Sequence, residues 1–265
     1  MSKVIALDAG HGYNTAGKRC MKRLDPDQTR EWYLNDRIMD MVETKLRDYD
    51  CTVLRVGDTT GRKDISLSAR IKAANAVGSM VYLSMHHNAG LNGRKGGGTV
   101  IFHYSNNVVR SEQAMRLYNQ IVFRTDLVGN RSQKVIKKGF YVLKHTGMPA
   151  FLIENGFMDS PDDVPVILSQ EHAEKTAEGI IAFLVEEFGL DFKADKSIGQ
   201  EKIYYPAYTG ADTTLSIALR TVGVDYTYAF RKKVAVPNNI SGYRGTAAQN
   251  THMYNLLVAG LLKKI

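Results

Sequence analysis

Short apolar runs that close on a polar residue recur along the first two thirds of the chain. Val4-Ile5-Ala6-Leu7 runs into Asp8 and the turn Gly10-His11-Gly12; Val81–Met85 closes on His86, and Ala150–Ile153 closes on Glu154. Such brief, nearly unbroken runs between turn residues predict strands buried on both faces. Further strands are predicted over Cys51–Val56, Thr99–Tyr104 and Gly139–Leu143. The alternation within Thr99–Tyr104, which follows Gly96-Gly97-Gly98, suits a strand near a sheet edge. Between the runs lie helical periods. Arg30–Asp48 places Leu34, Ile38, Met41/Val42 and Leu46 on one face, with Thr29 as a plausible N-cap. Ser66–Ala76, Ser111–Thr125 and Glu171–Phe188 are predicted helices, the last stopped by Gly189. Strands alternating with helices predict an α/β fold: a twisted, mostly parallel sheet flanked by helices.

The pattern stops near residue 190. Residues 191–201 are polar, charged and without periodicity, and read as a linker. The division is therefore a large domain over 1–190 and a small one over 202–265, the latter rich in Tyr, Thr and small residues.

Four polar residues occupy places where a folding chain would otherwise put apolar ones. Glu31 shares the helical face of Leu34, Asn35 and Ile38, and a carboxylate there needs a partner or a cation. A first-turn glutamate stabilised by the helix dipole is the plainer reading. His11 lies between glycines at a strand end, which suits either a ligand or a turn histidine. His86 and His87 are adjacent, so on an extended strand only one faces any given site. Glu154 ends an apolar strand, where a carboxylate is either desolvated or held near a cation; a strand-end residue in solvent is the alternative. Taken together, two histidines and a carboxylate form the ligand set of a catalytic zinc, and a further carboxylate can act as its base.

Composition narrows the setting. No stretch reaches the ~20 apolar residues of a membrane helix, and the four apolar residues after Lys3 fall short of a signal h-region of ~7–15. The expectation is a protein made in the cytoplasm that does not insert into membranes. Two cysteines, Cys20 and Cys51, exclude a disulfide scaffold and thiolate-rich zinc sites. Net charge is +8, and from Asp195 onward nine Lys/Arg stand against four Asp/Glu. That basic segment suggests an anionic partner, whether nucleic acid, a membrane surface or a wall polymer.

Several stretches in order resemble the zinc-dependent N-acetylmuramoyl-L-alanine amidases of the amidase 3 family, over about residues 3–188. They are Leu7-Asp-Ala-Gly-His11-Gly, Glu31 with Leu34-Asn35, Leu67-Ser-Ala-Arg70 with Ala74-Asn75, Ser84-Met-His86-His-Asn88-Ala89, and Pro149–Phe157 with Asp163 beyond. The resemblance implies His11, Glu31 and His86 as ligands of Zn2+ and Glu154 as the catalytic residue. It implies as substrate the amide between N-acetylmuramic acid and L-alanine in peptidoglycan. His87 stands where the family usually has a small residue, and Asn155 where it often has an apolar one. The last 64 residues resemble wall-binding domains of Bacillus-phage lysins through Tyr208–Leu215, Arg231-Lys-Lys233 and Gly245–Asn250. Candidate wall contacts are Tyr204, Tyr205, Arg231, Lys232, Lys233 and Tyr243, toward peptidoglycan or an anionic secondary wall polymer, with packing in the core of the small domain as the plainer reading of the tyrosines. This implies an endolysin, released onto the wall through a holin, of phage or prophage origin. The rivals are another zinc peptidoglycan hydrolase (a carboxypeptidase or deacetylase) and a wall-binding module without catalysis. A nucleic-acid-binding role has no helix-turn-helix, RNP-like or zinc-finger pattern behind it.

Overall fold

A computed structural model describes residues 3–193 and 204–265. The chain forms two compact units, Met1–Lys193 and Ala194–Ile265. In the first, strands β1 (Val4–Ala9), β2 (Thr52–Arg55), β3 (Val81–Asn88), β4 (Thr99–His103), β5 (Val135–Lys137) and β6 (Ala150–Phe157) make one sheet in the order β2-β1-β3-β6-β4-β5. All neighbours are parallel except β4 and β6. This is the α/β architecture expected, with β4 one strand from the edge.

Side chains alternate across the sheet and build two apolar layers. Ile5, Leu7, Leu83, Met85, Phe151 and Ile153 face the helices α1 (Glu31–Leu46), α3 (Val108–Thr125) and α6 (Gln170–Phe188). Ala6, Tyr82, Val100 and Leu152 face the other way, toward α2 (Leu67–Ala76) and the short α4 (Tyr141–Lys144). One more short helix, α5 (Val164–Ile167), precedes α6.

Two local expectations are corrected. Gly139–Leu143 is not a strand: Val142 and Leu143 are both buried in the same apolar cluster, which alternation along a strand forbids and a helical turn permits. The strand in this region is the three-residue β5, too short to show a period in the sequence. Thr29 does not cap α1. Its N–H donates to Asp25 and its carbonyl accepts from Cys20, so Arg30 takes the cap position without a side-chain bond.

Residues 191–193, expected to open the linker, lie against the first unit: Asp50 N–H donates to Asp191, Lys193 N–H donates to Asp48, and Tyr49 bridges Phe192. The rest of the expected linker, 194–201, lies outside the described residues. The second unit contains helices α7 (Leu215–Thr221), α8 (Tyr228–Ala235) and α9 (Ala247–Val258) around Tyr208, Leu219, Val234, Tyr243, Met253 and Leu257.

Two buried histidines, His87 and His172, set an acid limit on the first unit. His172 of α6 is 3% exposed, and its Nε2 lies 2.9 Å from Asn155 Nδ2. Burial, with Arg37 and Lys175 nearby, lowers its pKa from 6.5 to about 4. Between those values the unfolded chain binds a proton that the folded one refuses, so stability falls as pH drops through the window, by on the order of 3 kcal/mol in all. His172→Gln is expected to reduce the slope of urea midpoint against pH between 6.5 and 4, leaving the share that comes from His87, whose burial lowers its pKa to about 3. An unchanged slope in that variant would assign the acid sensitivity elsewhere.

Candidate metal centre

His11, Glu31 and His86 arrive from three elements at one end of the sheet. His11 follows β1 with φ 69°, a left-handed backbone uncommon outside glycine. Gly10 before it is required by close approach, since a Cβ there would lie 2.1 Å from His86 Cε1. Glu31 opens α1, 1% exposed. His86 lies near the end of β3, beside a register shift at His86/Asn88. Glu31 Oε1 stands 3.1 Å from His86 Nδ1 and 3.3 Å from His11 Nε2. The two imidazole rings meet edge to face at 4.9 Å. Glu154 is the register partner of His86 across β3 and β6.

The electrostatics follow from burial and these neighbours. Burial pushes the Glu31 carboxyl up, but hydrogen bonds and charge from His11 and His86 outweigh it, and it stays ionised below the usual carboxylate range. Burial works against charge on His86, yet Glu31, Glu154 and Asp8 hold its pKa above the usual histidine value. Glu154 is pushed up to about 7 by burial, with His86 pulling the other way and Glu31 adding to the rise.

The three side chains fit a metal ion. One ligand atom from each lies within 4.8 Å of the others. His11 Nε2 and Glu31 Oε2 are buried and make no hydrogen bond of good geometry: the first has Glu31 Oε1 at 3.3 Å and the second the Lys18 ammonium at 3.5 Å, whereas buried polar atoms nearly always find a well-aligned partner. A cation between them satisfies both, and a His, Glu, His set is a zinc donor set. Among the described residues no other group of His, Cys, Asp and Glu side chains converges in this way. Glu154 Oε2 is also buried without a partner.

Around the three lies a frame of polar groups whose roles sequence reasoning did not assign. Arg70 of α2 is 1% exposed and uses all five N–H donors. They go to Asp8, to the carbonyls of Ala9 (2.8 Å), His11 (2.9 Å) and Ile65 (2.8 Å), and to Asp64 (3.0 Å). Tyr82 and Ser84 donate to the other oxygen of Asp8 at 2.8 and 2.7 Å. The charged residue embedded in the first apolar run, Asp8, was the available signal for this pair.

Asn35 is fully buried; its Nδ2 donates to the Gly10 carbonyl at 3.1 Å and its Oδ1 lies 2.8 Å from His87 Nδ1. The His87 backbone N–H donates to Glu31 Oε1 at 3.3 Å. His87 therefore braces the cluster from behind and contributes no ligand atom to it; burial lowers its pKa to about 3, keeping it neutral. Asn155 turns away from the cluster, toward His172 and Thr176 of α6.

The profile of the N-acetylmuramoyl-L-alanine amidases called amidase 3 matches residues 5–186. The chain belongs to this family. It is 29% identical over 192 residues to the amidase CwlM of Bacillus licheniformis, covering 72% of this chain and 70% of that one. It is 27% identical over 203 residues to the endolysin of Bacillus phage SPP1, covering 74% and 70%. Among solved structures, an N-acetylmuramoyl-L-alanine amidase from Clostridium difficile 630 superposes with a TM-score of 0.63 at 26% identity, over 71% of this chain and 97% of the other.

The expected wall contacts of the second unit divide. Tyr243 is 5% exposed in its apolar core and donates its hydroxyl to Asn250 at 2.6 Å. Arg231, half-buried, donates to the same Asn250 oxygen at 3.2 Å. Tyr204 is half-buried and bridges Lys263, and Tyr205 packs on Phe230 with Lys264 over its ring. Lys232 and Lys233 are exposed. No helix among the described residues is long and apolar enough to cross a membrane.

Proposed function

We propose that this chain is a zinc-dependent peptidoglycan hydrolase that cleaves the amide between N-acetylmuramic acid and L-alanine. The convergence of His11, Glu31 and His86, with Glu154 in register beside them, carries the reading. An amide carbonyl is a weak electrophile and its nitrogen a poor leaving group, so attack and departure both need help. A zinc ion held by His11, Glu31 and His86 supplies Lewis acidity toward the carbonyl and makes water a better acid.

Glu154 takes the proton from the attacking water and delivers it to the alanine nitrogen as the C–N bond breaks. Its pKa of about 7 suits a group that must accept a proton and then give it up near neutral pH. Glu31 remains anionic and binds; the division of labour between the two carboxylates follows from their surroundings. Arg70 and Asn35 hold the Gly10-His11 turn by its carbonyls, which fixes the approach of the His11 ring. No covalent enzyme intermediate is required. The second unit would keep the enzyme at an immobile polymer, raising local concentration without altering the chemistry. The kinship to a phage endolysin supports a role in lysis from within, after release onto the wall.

Purified peptidoglycan incubated with zinc-loaded protein is expected to gain alanine N-termini and no new reducing sugar ends, and chelation should abolish the gain. Release of acetate or of a terminal D-amino acid instead would favour the deacetylase or carboxypeptidase reading.

A further inference from the structure

Metal ligation and general base catalysis leave one charged neighbour of the centre without a role. Lys18 extends its ammonium to 3.5 Å from Glu31 Oε2, with 42% of the side chain exposed. Among the described residues it is the one Lys or Arg whose head group comes within ion-pair distance of the His11, Glu31, His86 or Glu154 side chain. Its backbone is pinned there. The Lys18 carbonyl accepts from Glu31 N–H at 3.1 Å, Cys20 N–H donates to the Thr29 carbonyl at 2.9 Å, and Arg19 bridges Arg30 in antiparallel sense. Cys20, 1% exposed in an apolar cluster with Leu34 and Met158, anchors that pairing.

Pairing with Glu31 does not account for this ammonium. A charge-assisted N–H to O bond usually spans ~2.7–2.9 Å, and the contact is longer than that. Glu31 is already held through its other oxygen, Oε1, by His11, His86 and the His87 N–H. An ammonium has three donors, and among the described residues none accepts a hydrogen bond from this one. Its charge reaches Glu154 as well: burial raises the pKa of that carboxyl, and His86 and Lys18 pull against the rise. A half-exposed ammonium beside both carboxylates lies where a substrate arriving from solvent meets the centre.

We propose that Lys18 is a second electrophile of the hydrolytic centre, donating a hydrogen bond to the scissile carbonyl oxygen as negative charge builds on it. When water attacks, a C–O bond forms, an O–H bond breaks with its proton passing to Glu154, and the C=O π pair retreats onto the oxygen. A unit of negative charge thereby moves from Glu154 to that oxygen. An ammonium within reach of both stays close to the charge throughout, and fixed donors aimed at a developing oxyanion lower the barrier. When the C–N bond breaks, the oxygen pair re-forms C=O and Glu154 gives its proton to the alanine nitrogen. A carboxylic acid and an amine result, with Glu154 again ionised. The proposal rests on the hydrolase reading for the reaction and on the Lys18 contact for the residue. Support of Glu31 alone, or capture of a carboxylate on the substrate's peptide, would leave different kinetic marks.

The test compares zinc-loaded, full-length wild type, Lys18→Met, Lys18→Arg and Lys22→Met on a soluble muropeptide. Wild-type turnover is measured first, and its absence would sink the hydrolase reading before Lys18 is at issue. Lys18→Met is expected to keep one zinc per chain and its KM, and to lose about 10²–10³-fold in kcat, the effect of removing one oxyanion donor. Lys18→Arg, which keeps a cation, should recover at least tenfold of that loss. Lys22→Met removes the same charge from an exposed position on the same loop and should cost less than threefold. The decisive readout needs no turnover. Calorimetry follows a phosphinate analogue, whose tetrahedral phosphorus stands in for the carbonyl carbon under attack, and the intact muropeptide bound in a Glu154→Gln background. Lys18→Met should weaken the analogue at least ~30-fold and the muropeptide less than threefold, since only the analogue resembles the transition state. Thermal melts confirm that each variant folds, and Lys18→Gln replaces Lys18→Met if it does not. Loss of zinc would make Lys18 a support of Glu31, and a raised KM with unchanged kcat would make it a contact for a substrate carboxylate. Equal weakening of analogue and muropeptide, or an equal cost in Lys22→Met, would leave only general charge. Any of these results overturns the assignment.

Discussion

Glu154→Gln is expected to bind zinc as the wild type does and to hydrolyse muropeptides ~10²–10⁴-fold more slowly, the range attributed to a positioned general base. The amide keeps the size and hydrogen-bonding reach of the carboxylate while removing its basicity. Glu154 contributes no atom to the His11, Glu31, His86 group, so metal content should be unaffected. Its β6 neighbours Ile153 and Asn155 are fully buried, which leaves the strand's position to packing and not to this side chain. The measurement pairs zinc per protein chain with initial rate. Loss of zinc in the variant would make Glu154 a ligand; an unchanged rate would remove it from the chemistry altogether. Glu31→Gln provides the contrast, since it should lower zinc affinity and activity together.

Arg70→Met should destabilise the first unit by about 3–5 kcal/mol, the loss typical when one partner of a buried ion pair is removed. The magnitude follows from what is stranded. Asp8 is 1% exposed, and Arg70 holds its carboxyl below the usual range against the upward push of burial. Without the guanidinium, that carboxylate must protonate or remain charged in an apolar layer, and the Ala9, His11 and Ile65 carbonyls each lose a donor. Arg70→Lys should rescue little, because an ammonium has three donors and no planar fork to span Asp8, two strand-end carbonyls and Asp64. Asp8→Leu combined with Arg70→Met should recover part of the loss, since an apolar pair of similar volume leaves no buried charge. Urea unfolding of the three variants tests this. A loss under 1 kcal/mol in Arg70→Met would show that water or a rearranged side chain reaches Asp8.

The site was legible because its members break a pattern. His11, His86 and Glu154 close apolar runs, and Glu31 interrupts an apolar helical face; each departure is visible without a structure. The residues that brace them were not legible as such. Asn35 and Arg70 are polar residues on helices, where a solvated position is the usual explanation, and their targets lie 25 and 62 residues away in the chain. The strand assigned to Gly139–Leu143 failed for a related reason, since β-branched and aromatic composition does not say which layer a short segment must cover. In the second unit, composition left Tyr243 between a wall contact and a core residue; it packs in the core, and it and Arg231 both donate to Asn250.

Local periodicity, glycine placement and the order of the apolar runs were enough to determine the α/β class and the sequence of most elements, and to mark His11, Glu31, Glu154 and the His86-His87 pair as candidates, because these properties depend on neighbours within a few positions. The tertiary structure alone decided that His87 faces Asn35 while His86 faces Glu31, that Asp8 and Arg70 form the internal frame, and that the Lys18 ammonium reaches Glu31. Those outcomes depend on strand order and register, which bring distant residues together and set which side of each is buried.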